Sequence, residues 1–361
     1  MKRVQSVDFL RGLTILLMIL VNTPGDWSHV YPLLLHAQWN GLTLADFVFP
    51  FFLFIVGVSI SFVYKKKEKS AKTYKKIFVR SVKLVLLGLF LNAFTPFFPF
   101  IETESLRFPG VLQRIGIVFC IASVLYLNLN RKALIITSIF TLIGYWLWVA
   151  FIPLPNGSLP TLDRSPDNWA NYLDYLLLKG HMWKQDYDPE GILSTIPAII
   201  SALSGTIIGE MLIQKTENKF KLLISTGLGL LISGIIWGIF YPVNKALWSS
   251  TFVLITSGCG TLILAILYYF MDSKNYNFGK IIKSVGSNAI IIYFLSSILS
   301  KAFYMIKVDD SRSLHGWLFE NLFVYDVITA KLSSFLYALV VVSFYTLLAF
   351  ILEKKKIFIK V

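Results

Sequence analysis

Charged residues are scarce in this sequence. They make up 15% of its 361 residues, while hydrophobic residues make up 56%; about 25% of the residues of a soluble domain are charged. A helix needs about 20 mostly apolar residues to cross the hydrocarbon core of a membrane, so the sequence predicts an all-α, polytopic integral membrane bundle of about ten transmembrane helices. We place these spans at residues 9–23, 41–64, 80–97, 110–128, 133–152, 191–213, 221–240, 249–271, 284–303 and 332–352.

Cysteine and histidine are also rare. Cys120 and Cys259 both lie within apolar spans, where a buried free thiol is the simpler interpretation and a disulfide framework is not expected. No H-x-x-x-H or similar ligand spacing is present, which argues against a metal site. A P-loop, G-x-G-x-x-G and G-x-S-x-G are missing too, which argues against nucleotide hydrolysis and serine-hydrolase chemistry. The four histidines are at positions 29, 36, 181 and 315.

Acidic residues are outnumbered by basic ones, 20 against 34, and the net charge is +14. The distribution does not suit nucleic-acid binding, because 23 of the 34 basic residues fall in alternate segments between the predicted spans. Basic residues concentrate on the cytoplasmic side of membrane proteins. The pattern therefore predicts an even number of spans with both termini in the cytoplasm. The basic run at 65–83 is interpreted as an anchor to anionic lipid or, alternatively, as part of a site for an anionic cofactor.

The start of the chain, MKRVQSVDFLRGLTILLMILVN, has the basic flank of a signal peptide. Asp8 and Arg11 interrupt its apolar run, and no A-x-A-like cleavage site follows, so we interpret it as a retained first helix. No convincing internal repeat is found. We therefore expect residues 1–361 to form a single transmembrane domain, with a long extracytoplasmic loop at about 153–190.

The segment LLLHAQWNGLTLADFVFPFFLFIVG, residues 33–57, places polar groups against a long apolar run. On a regular helix His36 and Asn40 share one face, whereas Asp46 is turned away by about 80° and lies about 15 Å further along the axis. This geometry predicts that Asn40, and not Asp46, is the companion of His36. Asp46 and Arg114 both lie just inside predicted spans, so a structural ion pair between them is an alternative role for both.

Five segments resemble the heparan-alpha-glucosaminide N-acetyltransferase family, including its bacterial members, and they occur in the family's order. This family moves the acetyl group of cytoplasmic acetyl-CoA to the amine of a terminal glucosamine on the far side of the membrane. The resemblance implies that His36 is the catalytic histidine and Asn22 a second active-site residue. The segments are SVDFLRGLTILLMILVN, HAQWNGLTLADFVFPFFLFIVGVSI, GVLQRI, YDPEGILSTIPAI and SVGSNAIIIYFLSS.

The motif D-x-x-R-G near the start also resembles the larger membrane O-acyltransferase family, which modifies surface polysaccharides. In that family a histidine closes the first span, and Asn22 stands in its place here, which favours the glucosaminide N-acetyltransferase branch. We expect His36 to act as a general base or as an acyl-accepting nucleophile. Asn22, Asn40 and Asp46 are expected to shape its site, through an oxyanion contact or by fixing the imidazole.

Candidate binding residues are the remaining polar groups in or near these segments. For the phosphates and arm of acetyl-CoA they are Arg11, Lys83, Gln113, Arg114 and Asn288; for Arg11 and Lys83, snorkelling to lipid headgroups is the alternative. For the acceptor sugar they are Trp39, Asp186, Asp188 and Glu190, with a turn and helix start at DPEG as the alternative.

The sequence therefore predicts an acetyl-CoA-dependent acetyltransferase, without a metal, that acts on an amino sugar or cell-envelope glycan. O-acetylation of a surface polysaccharide and proton-coupled transport of a sugar or amino sugar are the alternatives. The lack of an extra domain, an organelle leader and a disulfide framework favours a bacterial inner-membrane protein. Membrane lipids and a second copy of the chain are its other expected partners, and nucleic acid is not.

Overall fold

The computed structural model describes residues 4–104, 106–214, 216 and 218–359. These residues form α-helices joined by loops, and no β-strand is found among them. A short 3-10 turn, Pro32–Leu34, follows α1, and a π-helical turn, Tyr269–Ser273, extends α9. The helices are α1 (Gln5–Asn22), α2 (Leu44–Tyr64), α3 (Ala71–Ala93), α4 (Val111–Asn128), α5 (Arg131–Phe151), α6 (Trp169–Leu178), α7 (Thr195–Ile213), α8 (Lys219–Trp237), α9 (Ser250–Tyr268), α10 (Lys280–Ser287), α11 (Ala289–Met305), α12 (Leu314–Phe323) and α13 (Ala330–Lys354).

Eight helices in the described part of the chain are long and apolar enough to cross a membrane. They become nine if α10 and α11, which are bent by 81° at their junction, are counted as one span. The all-helical prediction is confirmed, but α3, which overlaps the predicted third span at 80–97, is not one of the eight. Its first half carries Lys72, Lys75, Lys76 and Arg80, because the basic run continues into the helix. The number of spans and the orientation of the termini stay predictions.

The loops gather at two opposite ends of the bundle. At one end, which we call the loop end, the described parts of five connections contact one another; for example, Trp39 Nε1 donates to the carbonyl of Leu162 at 2.9 Å. These parts are 23–43, 94–104 with 106–110, 152–194, 238–249 and 306–329. At the other end, which we call the terminal end, Asp272 accepts from the backbone N–H groups of Gln5 and Ser6 at 2.7 and 3.0 Å. The described residues nearest both chain ends therefore lie at the terminal end.

Helix α2 runs through the core and packs most closely on α7. Gly57 and Gly205 form this contact, since a Cβ at either position would lie 1.8 to 2.0 Å from a carbonyl oxygen of the facing helix. Small residues allow helix backbones to approach in this way. Most of α2 is buried, whereas α5, α8 and α13 expose apolar surface. The arrangement suits helices that face lipid around a buried central helix.

Candidate active site

The loop between α1 and α2 turns before α2 begins. Residues 35–43 are not helical, Gly41 has a φ of 114°, and α2 starts at Leu44 with Thr43 as its N-cap residue. The expectation that His36 and Asn40 share one face of a regular helix is therefore wrong. The left-handed conformation at Gly41 favours glycine, and it folds the loop back over the start of α2.

This turn brings His36 onto Asp46, which the helical interpretation had kept apart. His36 Nδ1 and Asp46 Oδ1 lie 2.8 Å from each other. The Asp46 side chain is only 1% exposed, whereas that of His36 is 47% exposed. The pair therefore has its carboxylate inside the protein and its imidazole at the surface of the loop end.

The second carboxylate oxygen of Asp46 is held by the loop itself. Asp46 Oδ2 accepts hydrogen bonds from the backbone N–H groups of Ala37 and Thr43, both at 3.1 Å, and from Thr43 Oγ1 at 3.0 Å. Asp46 and Thr43 thus form a capping box at the start of α2. An imidazole whose Nδ1–H donates a hydrogen bond to a carboxylate fixed in this way has Nε2 as its basic nitrogen.

A residue that the sequence reasoning missed completes this cluster. Lys245, in the loop between α8 and α9, has its Nζ 3.0 Å from His36 Nδ1, 3.3 Å from Nε2 and 3.4 Å from Asp46 Oδ1. Burial lowers the pKa of the Lys245 ammonium, and the nearby Asp46 carboxylate opposes that shift. Nothing in the local pattern around Lys245 signals this contact, because it joins residues 209 positions apart.

Asn40 is not the companion of His36, so that expectation is wrong. Its Oδ1 accepts from Asn244 Nδ2 at 3.0 Å, and Gly41 N–H donates to the carbonyl of Val243 at 2.8 Å. Asn40 therefore ties the α1–α2 loop to the α8–α9 loop, next to Lys245. Asn22, the last residue of α1, is exposed at the same end of the bundle.

The structural ion pair between Asp46 and Arg114 does not form. Arg114 is buried in the first turn of α4, and its Nη2 donates to the carbonyl of Gly191 at 2.9 Å and to Ser194 Oγ at 2.6 Å. Its guanidinium also lies over the ring of Trp248, 5.1 Å from the centroid. Arg114 thus joins α4 to the segment before α7 instead of binding Asp46.

The acidic residues before α7 are already engaged. Arg107 Nε donates to Asp188 Oδ2 at 2.7 Å, and its Nη2 contacts both Asp188 and Glu190. Burial works against the charge of Arg107, but the Asp188 hydrogen bond and the Glu190 charge raise its pKa above the ordinary value. At the surface, Arg164 Nη2 donates to Asp186 Oδ1 at 2.8 Å, and the Arg164 hydrogen bonds lower the pKa of Asp186.

Trp39 lies beside this acidic segment. Its ring meets that of Tyr187 edge to face, with centroids 5.4 Å apart, and it is half-buried. All four predicted sugar-binding residues therefore have partners within the protein, and Glu190 shares its partner, Arg107, with Asp188. Their part in binding an acceptor stays a prediction.

A cavity of about 400 Å³ lies towards the terminal end. Arg11, from α1, lines it and donates from Nη2 to Ser59 Oγ at 2.9 Å. Arg80, from α3, lines it as well; its guanidinium lies 4.7 Å from the centroid of the Phe119 ring. Arg80 Nε is buried and has no hydrogen-bond partner among the described residues.

Of the other predicted donor-binding residues, Lys83 is exposed and does not line this cavity. Asn288, buried at the junction of α10 and α11, holds the chain near its end: its Nδ2 donates to the carbonyl of Ile357 at 3.2 Å, and its Oδ1 accepts from Ile359 N–H at 3.3 Å. Ile359 itself lines the cavity. Asn288 therefore shapes one wall of the cavity indirectly.

A smaller cavity of about 150 Å³ lies further towards the loop end. Gln113 lines it, and Gln113 Nε2 donates to the carbonyl of Phe108 at 3.1 Å. The two cavities follow one seam between α3, α4 and α11, since each helix contributes to both of them at positions about one turn apart. The pairs are Leu84 and Gly88, Ile115 and Leu112, and Ile290 and Tyr293.

Arg80, Arg107 and Lys245 are the residues that sequence reasoning did not select. Arg80 lies within the predicted lipid anchor at 65–83, where it is one of many basic residues and nothing distinguishes it from the others. Arg107 follows the apolar hairpin after α3, and only the pairing of its loop with 188–190 gives it a partner.

The sequence profile of the family described as "Heparan-alpha-glucosaminide N-acetyltransferase, catalytic" matches residues 3–238. The chain is 28% identical to heparan-alpha-glucosaminide N-acetyltransferase of Mus musculus and 30% identical to that of Homo sapiens, in both cases over 417 aligned residues and 99% of the chain. It spans about 60% of the length of each of these relatives. The profile match covers well over half of the chain, which therefore belongs to the heparan-alpha-glucosaminide N-acetyltransferase family.

Proposed function

We propose that this chain is a membrane acetyltransferase that takes the acetyl group of acetyl-CoA and transfers it to the amine of an amino sugar or cell-envelope glycan. In this proposal acetyl-CoA enters from the cytoplasm at the terminal end, and the acceptor binds at the loop end. The His36–Asp46 pair carries the proposal, because an exposed imidazole fixed by a buried carboxylate is suited to accept a proton from an incoming amine. The names of the two relatives support acetyl transfer to glucosaminide nitrogen.

The larger cavity supports binding of the donor. Coenzyme A carries phosphates, and guanidinium groups bind phosphate through paired, charge-assisted hydrogen bonds. Arg11 and Arg80 offer two such groups, and Arg80 takes the place that the sequence had given to Lys83. From this cavity the flexible arm of the donor would follow the seam past Gln113 towards the loop end.

In direct transfer, His36 Nε2 accepts a proton from the acceptor amine while the amine nitrogen attacks the thioester carbonyl. The new C–N bond forms, the C–S bond breaks, and the departing thiolate receives the proton from His36. In a two-step route, Nε2 attacks the thioester carbonyl and the C–S bond breaks, so that the CoA thiolate leaves. The amine then attacks the acetyl group on Nε2, the bond from the acetyl carbon to Nε2 breaks, and the freed Nε2 takes the amine proton. Amide N–H groups of Asn22 and Asn40 are candidates to stabilise the oxyanion in either route.

The test is acetyl transfer by purified protein in proteoliposomes, with a glucosamine-terminated oligosaccharide enclosed and radiolabelled acetyl-CoA outside. We expect labelled acceptor inside only when the protein is present. An N-acetylated oligosaccharide serves as the matched acceptor, because it offers hydroxyls but no amine. Labelling of that acceptor alone would replace N-acetylation with O-acetylation. If neither acceptor is labelled by folded protein, and unlabelled sugar is instead taken up, the proposal is wrong and transport takes its place.

A further inference from the structure

Lys245 lies outside the part of the chain that the family profile matches, yet it contacts both members of the His36–Asp46 pair. The loop that carries it is fixed on either side. Asn244 is buried, its Nδ2 donates to Asn40 Oδ1 at 3.0 Å, and its Oδ1 accepts from the Leu247 N–H at 2.8 Å. The Lys245 side chain is only 17% exposed, so its position is set by the fold.

The position of the ammonium is unusual for a hydrogen bond. Its Nζ is almost equally distant from Nδ1 and Nε2 of His36, at 3.0 and 3.3 Å. The lone-pair directions of these two nitrogens diverge, so one ammonium cannot lie along both of them. Lys245 therefore lies against the imidazole without occupying the direction in which Nε2 would receive a proton, while Nδ1 keeps its contact with Asp46.

The charges around His36 explain what such a contact does. An opposite charge close to a histidine favours its protonated form, so Asp46 alone would tend to hold His36 as imidazolium, which cannot accept a proton. The Lys245 ammonium, 3.4 Å from Asp46 Oδ1, offsets this charge. Glu190 and Arg114 also act on Lys245, with opposite signs.

We propose that Lys245 is a positioning residue that balances the Asp46 carboxylate and keeps the His36 imidazole neutral, with Nε2 free to accept the acceptor's proton. The catalytic purpose of this inference rests on the proposed function. Its test does not, because the protonation state of His36 can be measured without acetyl transfer. Once Nε2 has taken the proton, the cluster carries two cations and one anion. The excess positive charge then favours release of that proton to the departing thiolate.

The test is ¹⁵N NMR of histidine-labelled protein in lipid nanodiscs at pH 7, with the His36 signal assigned from His36→Gln. Wild-type protein should show a neutral His36 with its proton on Nδ1. In Lys245→Met the imidazolium should become the major form, and Lys245→Arg should restore the neutral form. His29, which is paired with Asp26, is an internal reference whose signal should not change.

Lys245→Gln is a second neutral variant in case Lys245→Met does not fold, and unchanged His29 and His315 signals report folding in both. A neutral His36 in a folded Lys245→Met or Lys245→Gln variant, as in the wild type, would overturn the proposal. If the wild type transfers acetyl groups, the rising limb of its pH profile for kcat/KM should move to higher pH in Lys245→Met. A protein that transfers nothing, but shows the NMR change, would reject the proposed function and leave the role of Lys245 intact.

Discussion

Two histidines on the loop between α1 and α2 each pair with an aspartate, and the two pairs differ in the burial of the carboxylate. His29 and Asp26 are 2.6 Å apart, and His36 and Asp46 are 2.8 Å apart. The two imidazoles are almost equally exposed, at 49% and 47%, but the Asp26 side chain is 36% exposed and that of Asp46 is 1% exposed. Contact distance alone therefore does not distinguish the proposed catalytic pair from an ordinary surface contact.

The surroundings of the two pairs explain the difference. Asp26 and His29 are three residues apart, and their contact is local and reached by solvent. Asp46 accepts two backbone N–H groups and a hydroxyl besides the imidazole, and Lys245 joins it from a distant loop. A buried, fully bonded carboxylate holds one orientation of the imidazole, which a solvated carboxylate does not.

Removal of each imidazole tests this comparison most directly. We expect His36→Ala to reduce the rate of acetyl transfer by about 100-fold or more, because general acid–base groups contribute on the order of 10² to 10⁴. His29→Ala is the matched control and should change the rate by less than about twofold, since surface substitutions away from a site have small effects. Initial rates in proteoliposomes measure both. Equal losses in the two variants would contradict the distinction between the pairs.

Replacement of the aspartate in each pair should have the next largest effect on the transfer rate. Asp46→Asn should reduce the transfer rate by roughly 100-fold, because an amide no longer fixes Nδ1–H and Nε2 loses its defined role. Asp26→Asn, the same change in the exposed pair, should leave the rate near that of the wild type. Thermal unfolding in detergent should accompany the rates, as Asp46 also caps α2. If Asp46→Asn were folded and fully active, the carboxylate would have no part in the reaction.

A substitution in the larger cavity leaves both histidine–aspartate pairs intact and tests donor binding separately from them. Arg80→Met should weaken donor binding about tenfold, since a charge-assisted hydrogen bond contributes roughly 1.5 to 3 kcal/mol, while kcat changes little. Lys76→Met removes an exposed charge from the same helix and should have little effect. Titration with a fluorescent CoA analogue measures the affinity. Equal affinity in both variants would place the donor elsewhere.

The smallest expected effect concerns a third histidine, which is buried. His315 contacts the hydroxyls of Tyr304 and Tyr337 at 3.0 and 3.1 Å, and burial lowers its pKa from the ordinary value. As pH falls below about 6.5, the unfolded chain binds a proton at His315 that the folded protein does not, so stability falls until pH reaches the lower folded pKa.

Between pH 7.5 and 5.5, the wild-type unfolding temperature should decrease by at most about 2 to 4 °C from this group, because one pKa unit corresponds to about 1.4 kcal/mol. His315→Gln should show a weaker dependence on pH, while His29→Ala should retain that of the wild type. Differential scanning fluorimetry in detergent measures these temperatures. An unchanged slope in His315→Gln would show that His315 does not link stability to pH in this range.

Local patterns predicted the helices well and the contacts between them poorly. Hydropathy identified α2 and α7 because apolar runs of span length have few alternatives in a membrane protein. The same reasoning extended the helix through His36 and so separated it from Asp46, since the effect of Gly41 on the backbone was not considered. Lys245 and Arg107 were missed because their partners come from distant loops. A local sequence pattern does not predict contacts between residues that are far apart in the sequence.

The close packing of α2 on α7 at Gly57 and Gly205 means that α2 sets a fixed distance between the His36–Asp46 pair and the larger cavity. Asp46 lies in the first turn of this helix. Ser59, which contacts Arg11 at the larger cavity, lies 13 residues later, a distance of about 20 Å at 1.5 Å per residue. A helix held so tightly cannot shorten that distance during turnover. Donors should therefore be selected by the reach of their flexible arm, and thioesters with a truncated arm should occupy the cavity without delivering their acyl group to His36.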